Sequence, residues 1–346
     1  MSNETDNDPA IKVDNLSKRY GKLRAIDGVS FSVERGQVVG FLGPNGAGKS
    51  TTMRILCGLM PATSGRAYIC GIPVASQAHE AKRKIGYMPE HNPLPADMRV
   101  IEYLRYRARL REIHGKAQKK AVDEAMEVCD LHRKARRRLI GTLSKGFRQR
   151  VGIADAILAK PDVIIMDEPT IGLDPHQILA IRRLIESLRG QMTVVISSHI
   201  LPEIERVCDR IIIINQGRVV ASGTPDSLRE DFLPTTCYRL QVAGDFEEVK
   251  SKLSAITPHA TIEEKPGDTG DDFREIEIIA DSDLQISESL LHALADSSSL
   301  RVREVAKLKP NLEDIFMAAT KRSYDETASP FQRNGTKNAS SPKVNA

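Results

Sequence analysis

Gly43-Pro44-Asn45-Gly46-Ala47-Gly48-Lys49-Ser50-Thr51 stands between a short apolar run, Val38 to Leu42, and a stretch in which Met53, Leu56 and Leu59 recur at helical spacing. Gly58 and Pro61 end that stretch, so residues 37–60 read as strand, glycine-rich loop and helix. The loop fits the phosphate-binding pattern G-x-x-x-x-G-K-[ST] in the structural context that pattern requires. Glycines let backbone N–H groups approach phosphate oxygens with no Cβ in the way. The start of the following helix adds its partial positive charge. Lys49 has the reach for outer phosphates, and Ser50 offers a hydroxyl to Mg²⁺.

Working outward, Ile11 and Val13 alternate with polar residues, as do Val29, Phe31 and Val33. Both stretches predict strands with one buried face. Downstream, strands are predicted at Val163–Met166, Thr193–Ser197 and Arg210–Asn215, with helices near 150–159, 176–189 and 201–208. That alternation predicts an α/β fold with a largely parallel sheet covered on both faces. Val163-Ile164-Ile165-Met166-Asp167-Glu168 is an apolar strand ending in two carboxylates. Ligands of open α/β sheets bind at such strand ends. Asp167 is placed to hold Mg²⁺ through its water shell, and Glu168 to orient or deprotonate an attacking water.

Residues 97–138 read as helical and basic. Between 99 and 138 there are 13 Lys and Arg against 6 Asp and Glu. The run is read mainly as a solvated helical surface, with Arg133–Arg138 the part placed to meet a membrane or a partner. Composition shifts near 231–235. Beyond it the order is strand 237–243, helix 246–255, strand 260–264, strand 273–280, helix 284–297 and strand 300–307. That order is the ferredoxin-like split arrangement of an α+β domain. A short helix is expected at 311–320. The polar ends, 1–10 and 323–346, are expected to be disordered. The domain plan is therefore 11–230, with a helical subdomain at about 95–150, followed by an accessory domain at 236–320.

At 346 residues the chain has room for about two domains. Lys and Arg number 50 and Asp and Glu 46, a net charge of +4 that does not suggest a general nucleic-acid binder. Aromatics are 4% with no Trp, which disfavours single-strand stacking platforms. The five cysteines show no C-x-x-C spacing, so reduced thiols are expected rather than a disulfide framework or a zinc site. No apolar run approaches the ~20 residues of a membrane span, and the N-terminus has no secretory h-region. A cytoplasmic protein is expected, one that needs a spanning partner if it works at a membrane.

Taken together, the P-loop and the carboxylate-ended strand resemble those of ATP-binding cassette (ABC) ATPases, over roughly residues 11–225. Leu143-Ser144-Lys145-Gly146-Phe147-Arg148-Gln149-Arg150 is similar to that family's signature, usually LSGGQ followed by Q-R. Pro169-Thr170-Ile171-Gly172-Leu173-Asp174 resembles its D-loop, His199 its switch histidine, and Tyr20 the aromatic that stacks on adenine. Gly86-Tyr87-Met88-Pro89-Glu90 resembles the Q-loop, with Glu90 in place of glutamine. Lys145 and Phe147 depart from the usual signature, while Ser144 and Gly146 are kept. These variants, and the tail ending in Leu312-Glu313-Asp314-Ile315-Phe316, resemble the exporter branch whose cassettes and membrane subunits are separate chains.

The resemblance implies binding of ATP and Mg²⁺, with Glu168, His199 and Glu90 catalytic. Tyr20, residues 43–51, Ser144 and Gly146 would bind nucleotide, and Ser50, Asp167 and Glu90 would hold the metal. It also implies a head-to-tail pair of cassettes, with a homodimer expected, and a transmembrane permease as partner at the inner face of the membrane. No nucleic-acid partner is expected. The alternative, a soluble ABC-type ATPase acting on nucleic acid or ribosomes, would call for long coiled coils or two cassettes in one chain. The sequence has neither.

Overall fold

The computed structural model describes residues 8–198, 200–232, 235–256, 260–265, 272–281, 300–308 and 312–327. Two compact units emerge, divided between Pro225 and Asp226 and again between Ala318 and Ala319, within the last helix.

In the first unit, β1 (Ile11–Tyr20) and β2 (Leu23–Val33) pair antiparallel. They join β4 (Ser64–Ile69) and β5 (Ile72–Pro73) in a sheet of order β2-β1-β4-β5. A second sheet is built on β3 (Val38–Leu42), whose five residues are all buried. Such a run suits a strand covered on both faces. With β6 (Ile85–Met88), β7 (Val163–Asp167), β8 (Thr193–Ser198), β9 (Arg210–Asn215) and β10 (Arg218–Gly223), it makes the order β10-β9-β3-β8-β7-β6. Every pair is parallel except β10 with β9. The sequence reading did not assign β4, β5, β6 or β10.

Helix α1 (Lys49–Leu56) follows β3 and packs Met53 and Leu56 into a core shared by the two sheets. Ile11, Val13 and Leu16 of β1 enter that core from one side, and Ile165, Ile212 and Ile214 from the other. Helix α2 (Ala78–Arg83) leads into β6, and α6 (Pro175–Leu188) and α7 (Leu201–Val207) connect the later strands. The expected N-terminal tail stops short of residue 10. Ala10 is fully buried, and its carbonyl accepts the Cys70 N–H at 2.9 Å.

Helices α3 (Val100–Leu110), α4 (Gly115–Val128) and α5 (Lys145–Ile157) pack on one another. A single antiparallel bridge, Arg99 with Leu139, brackets α3 and α4 and closes the excursion that contains them before α5 begins. The helical expectation over 97–138 is corrected in two places. Glu112, at φ 61°, separates α3 from α4, and Asp130, at φ 50°, ends α4. Residues 130–137 are turns rather than helix. There the Arg136 guanidinium bonds Asp123 at 2.8 Å and its carbonyl accepts the Ile101 N–H, contacts that fold the segment back on α3 and α4.

The second unit, Asp226–Ala318, takes in nearly all of α8 (Pro225–Phe232). The division therefore falls one short helix before the composition shift at 231–235. It continues with β11 (Thr235–Ala243), α9 (Phe246–Ile256), β12 (Thr261–Lys265), β13 (Arg274–Asp281) and β14 (Arg301–Leu308). The sheet is antiparallel with order β12-β13-β11-β14. Tyr238, Leu240 and Val242 alternate along β11 and pack with Val249 and Leu253 of α9. The expected helix 284–297 lies outside the described residues, as do residues 1–7 and 328–346. Helix α10 (Leu312–Thr327) runs past its expected end and through 323–327, which the sequence reading gave to a disordered tail. Residues 321–327 contain neither Pro nor Gly, so nothing local stops the helix.

Candidate nucleotide site

Register brings the site together. Phe41 of β3 pairs with Ser197 of β8, and Ser197 pairs with Asp167 of β7. The glycine-rich loop, the two carboxylates and the end of β8 therefore meet at one edge of the sheet. The loop closes on itself through Ala47 N–H to the Pro44 carbonyl at 3.1 Å. A Cβ on Gly43 would stand 2.3 Å from the Ile214 carbonyl oxygen, so only glycine lets the loop lie this close to β9. Gly46, at φ 80°, faces open space. The loop thus has a tightly packed back and an open front, a cradle suited to phosphate.

Lys49 opens α1. Its ammonium donates to the Gly43 carbonyl at 2.7 Å and the Pro44 carbonyl at 3.3 Å, and lies 4.0 Å from Glu168 Oε1. Burial lowers its pKa, and the carboxylates of Glu168, Asp167 and Glu90 push it back up. Lys49, Ser50, Thr51, Tyr20, Glu90 and Glu168 line one cleft of 580 Å³ together with Pro44, Asn45, Gly46 and Gly48. Tyr20 is 45% exposed; its hydroxyl donates to Met60 Sδ at 3.1 Å, and Lys18 Nζ lies 5.4 Å from the ring centre.

Asp167 and Glu168 are buried at 2% and 6% exposure. Ser197 Oγ donates to Asp167 Oδ1 and accepts the Glu168 N–H at 3.0 Å. The Glu168 N–H also meets the Ser197 carbonyl at 3.2 Å. Glu168 has a φ of 51°, a left-handed backbone that a side chain rarely adopts and that is held here by its neighbours. The sequence reading missed Ser197. Its only local signal is a small hydroxyl residue at the end of an apolar strand. His199 lies outside the described residues.

Ser144 and Gly146 are not brought to this cleft. Ser144 caps α5, accepting the Phe147 N–H at 3.4 Å, and Gly146 is pressed against Gln177 of α6. Lys145, Arg148 and Gln149 instead line a separate 440 Å³ cavity, which shares Glu90 and Ile171 with the first. Among the described residues no group of three or more His, Cys, Asp or Glu is placed to hold a metal ion alone.

The family model of ABC transporters matches residues 26–171. The chain is 33% identical over 321 residues to the Nod factor export ATP-binding protein I of Burkholderia lata, covering 90% of this chain and 97% of that protein. It is 34% identical over 317 residues to the linearmycin resistance ATP-binding protein LnrL of Bacillus subtilis, covering 90% and 99%. A solved ATP-binding subunit of an ABC transporter is similar in fold, with a TM-score of 0.59 at 33% identity over 64% of this chain and 93% of that one. A bacterial ABC transporter cassette solved as a dimer matches with a TM-score of 0.57 at 28% identity over 62% and 98%. With its P-loop, paired strand-end carboxylates and near full-length relatives, the chain belongs to the ATP-binding subunits of ABC transporters and is an ATP-binding ATPase.

Proposed function

We propose that this chain powers an exporter: two copies close head to tail around ATP and drive a separate membrane subunit from the cytoplasmic face. The observation that carries the reading is the buried Lys49–Glu168 pair on a cleft shared with Glu90 and Tyr20, while Ser144 and Gly146 stand outside it. A signature remote from its own P-loop remains available to the nucleotide of a second copy. The names of the Nod factor and linearmycin relatives support export. No helix among the described residues is long and apolar enough to cross a membrane, which agrees with a partner that does.

In this reading the loop N–H groups and Lys49 bind the β- and γ-phosphates, and the Tyr20 ring stacks on adenine. Ser50 and Asp167 offer the hard oxygen donors that suit Mg²⁺, which supplies charge neutralisation at the phosphates. Glu168 accepts a proton from water as the water oxygen attacks the γ-phosphorus and the bond to the bridging oxygen breaks. Glu90 would offer an oxygen to the same water and to Mg²⁺, and the resemblance gives His199 the role of meeting the γ-phosphate. The Ser144 hydroxyl and Gly146 N–H of the second copy close over that phosphate. Hydrolysis removes the group that joins the copies, so they part.

The test is Glu168→Gln with ATP and Mg²⁺ on size-exclusion chromatography. The variant should bind ATP, turn it over very slowly and accumulate as a dimer. A variant that stays monomeric while the wild type dimerises would overturn the reading.

A further inference from the structure

Nine of the thirteen residues of α5 are buried, and one of the nine is a carboxylate. Asp155 is 7% exposed. Arg107 Nε of α3 donates to both its oxygens at 2.9 Å, and the Tyr103 hydroxyl adds a third bond at 3.1 Å. Asp155 raises the pKa of Arg107 against the effect of burial, and burial beside the carboxylate holds the Tyr103 hydroxyl protonated. Burial lowers the pKa of Arg111, the C-cap of α3, and the Asp155 charge opposes that shift.

A charged cluster is a poor choice for simple adhesion between helices. Apolar residues of like volume generally hold a pair of helices as well or better, because desolvating the ions offsets their attraction. The Arg107 Nε–H shared between both Asp155 oxygens, with the Tyr103 hydroxyl on one of them, does something apolar packing does not: directional bonds from two positions of α3 resist rotation and sliding. Asp155 lies eleven residues after Ser144, about 16 Å along the helix axis at 1.5 Å per residue. The helix between them is continuous and close-packed, with Gly152 against Asn92 and, just past Asp155, Ala156 against Gly86. Where Asp155 is held therefore sets where the capped N-terminus of α5 lies.

We infer that the Tyr103–Asp155–Arg107 clamp is a positioning element of the ATPase cycle, fixing α5 so that Ser144 and Gly146 meet the nucleotide held by a second copy. This rests on the closed-pair reading given under Proposed function. None of the three residues lines the nucleotide cleft, so the clamp acts on closure and not on nucleotide binding.

The experiment introduces Asp155→Ala, Arg107→Ala and Tyr103→Phe separately, each with and without Glu168→Gln, together with the exchanged pair Asp155→Arg/Arg107→Asp. A fluorescent ATP analogue, at protein concentrations below dimerisation, reads nucleotide affinity. Sedimentation with ATP reads closure in the Glu168→Gln background, and steady-state kinetics reads kcat and KM in the others. The expected result is at least tenfold weaker closure and a matching fall in kcat for the two alanine variants. Nucleotide affinity should stay within twofold, and the exchanged pair should recover part of the loss. Tyr103→Phe keeps the ion pair and the packing, so it should fold even if an alanine variant does not, and should weaken closure by about threefold. Closure equal to Glu168→Gln alone, or a parallel loss of nucleotide affinity, would overturn the inference while leaving the closed-pair reading intact. If Glu168→Gln with the native clamp fails to dimerise, both fall together.

Discussion

The Lys49 ammonium and the Glu168 carboxylate stand 4.0 Å apart with both side chains more than nine-tenths buried. The lysine begins the helix after β3 and the glutamate is the first residue after β7, so the parallel sheet itself sets the distance. The ammonium is also held by the carbonyls of Gly43 and Pro44 at the start of the loop.

Lys49→Ala should therefore abolish measurable ATP hydrolysis. Loss of one preorganised charge at a transition state costs at least ~10²-fold in rate. Circular dichroism should show the fold retained at reduced stability, because a buried cation is removed from beside the buried Glu168 carboxylate. Ordinary turnover in this variant would remove the cleft from the mechanism.

Glu90 is one of three carboxylates that push the Lys49 pKa up against the effect of burial, and it lines the same cleft. Glu90→Gln retains an oxygen of equal reach, so ATP binding and much of the hydrolysis should survive. Glu90→Ala leaves no oxygen and should lose considerably more. Mg²⁺-dependent ATPase assays with the membrane partner present distinguish the two. Equal rates for wild type, Gln and Ala would assign Glu90 to the surface alone.

The two sides of the phosphate loop should respond differently to one added carbon. Gly43→Ala places a Cβ 2.3 Å from a backbone oxygen of β9 and should destabilise the chain by about 1–3 kcal/mol or more, as overpacking does. Gly46→Ala meets no atom and faces only its left-handed backbone, a penalty of about 1–2 kcal/mol. Urea midpoints of the two variants provide the comparison, and a larger shift for Gly46→Ala would contradict this account of the loop's back.

Burial pushes the thiols of Cys57, Cys129 and Cys208 up, well beyond the usual range; it also raises that of Cys70, but Cys70 and Cys237 are only partly covered and so within reach of a reagent. A thiol reagent at pH 8 should label Cys70 and Cys237 first and reach the other three only in denaturant. Early labelling of Cys57, Cys129 or Cys208, identified by peptide mass, would show that the core opens more readily than its packing implies.

The parts of this protein that are legible in its sequence are those whose chemistry is local. The loop 43–51 needs glycines, a lysine and a hydroxyl at set spacing, and that spacing is the motif. Strands 38–42 and 163–167 are short apolar runs, and the turn after Gly58 ends α1 with residues that cannot continue it. The described strands after 235 and the helix at 246–256 can also be read from alternation, because period two and period 3.6 are properties of the chain itself. The tertiary structure alone decided what those elements meet. Strand register joined Ser197 to Asp167 and Glu168, thirty and twenty-nine residues away. Helix packing joined Asp155 to Arg107 across forty-eight residues. Ala10 was drawn out of a polar tail by an N–H on Cys70. Each of these contacts depends on where two distant segments come to lie, and a one-residue slip in register would abolish it without changing any local pattern.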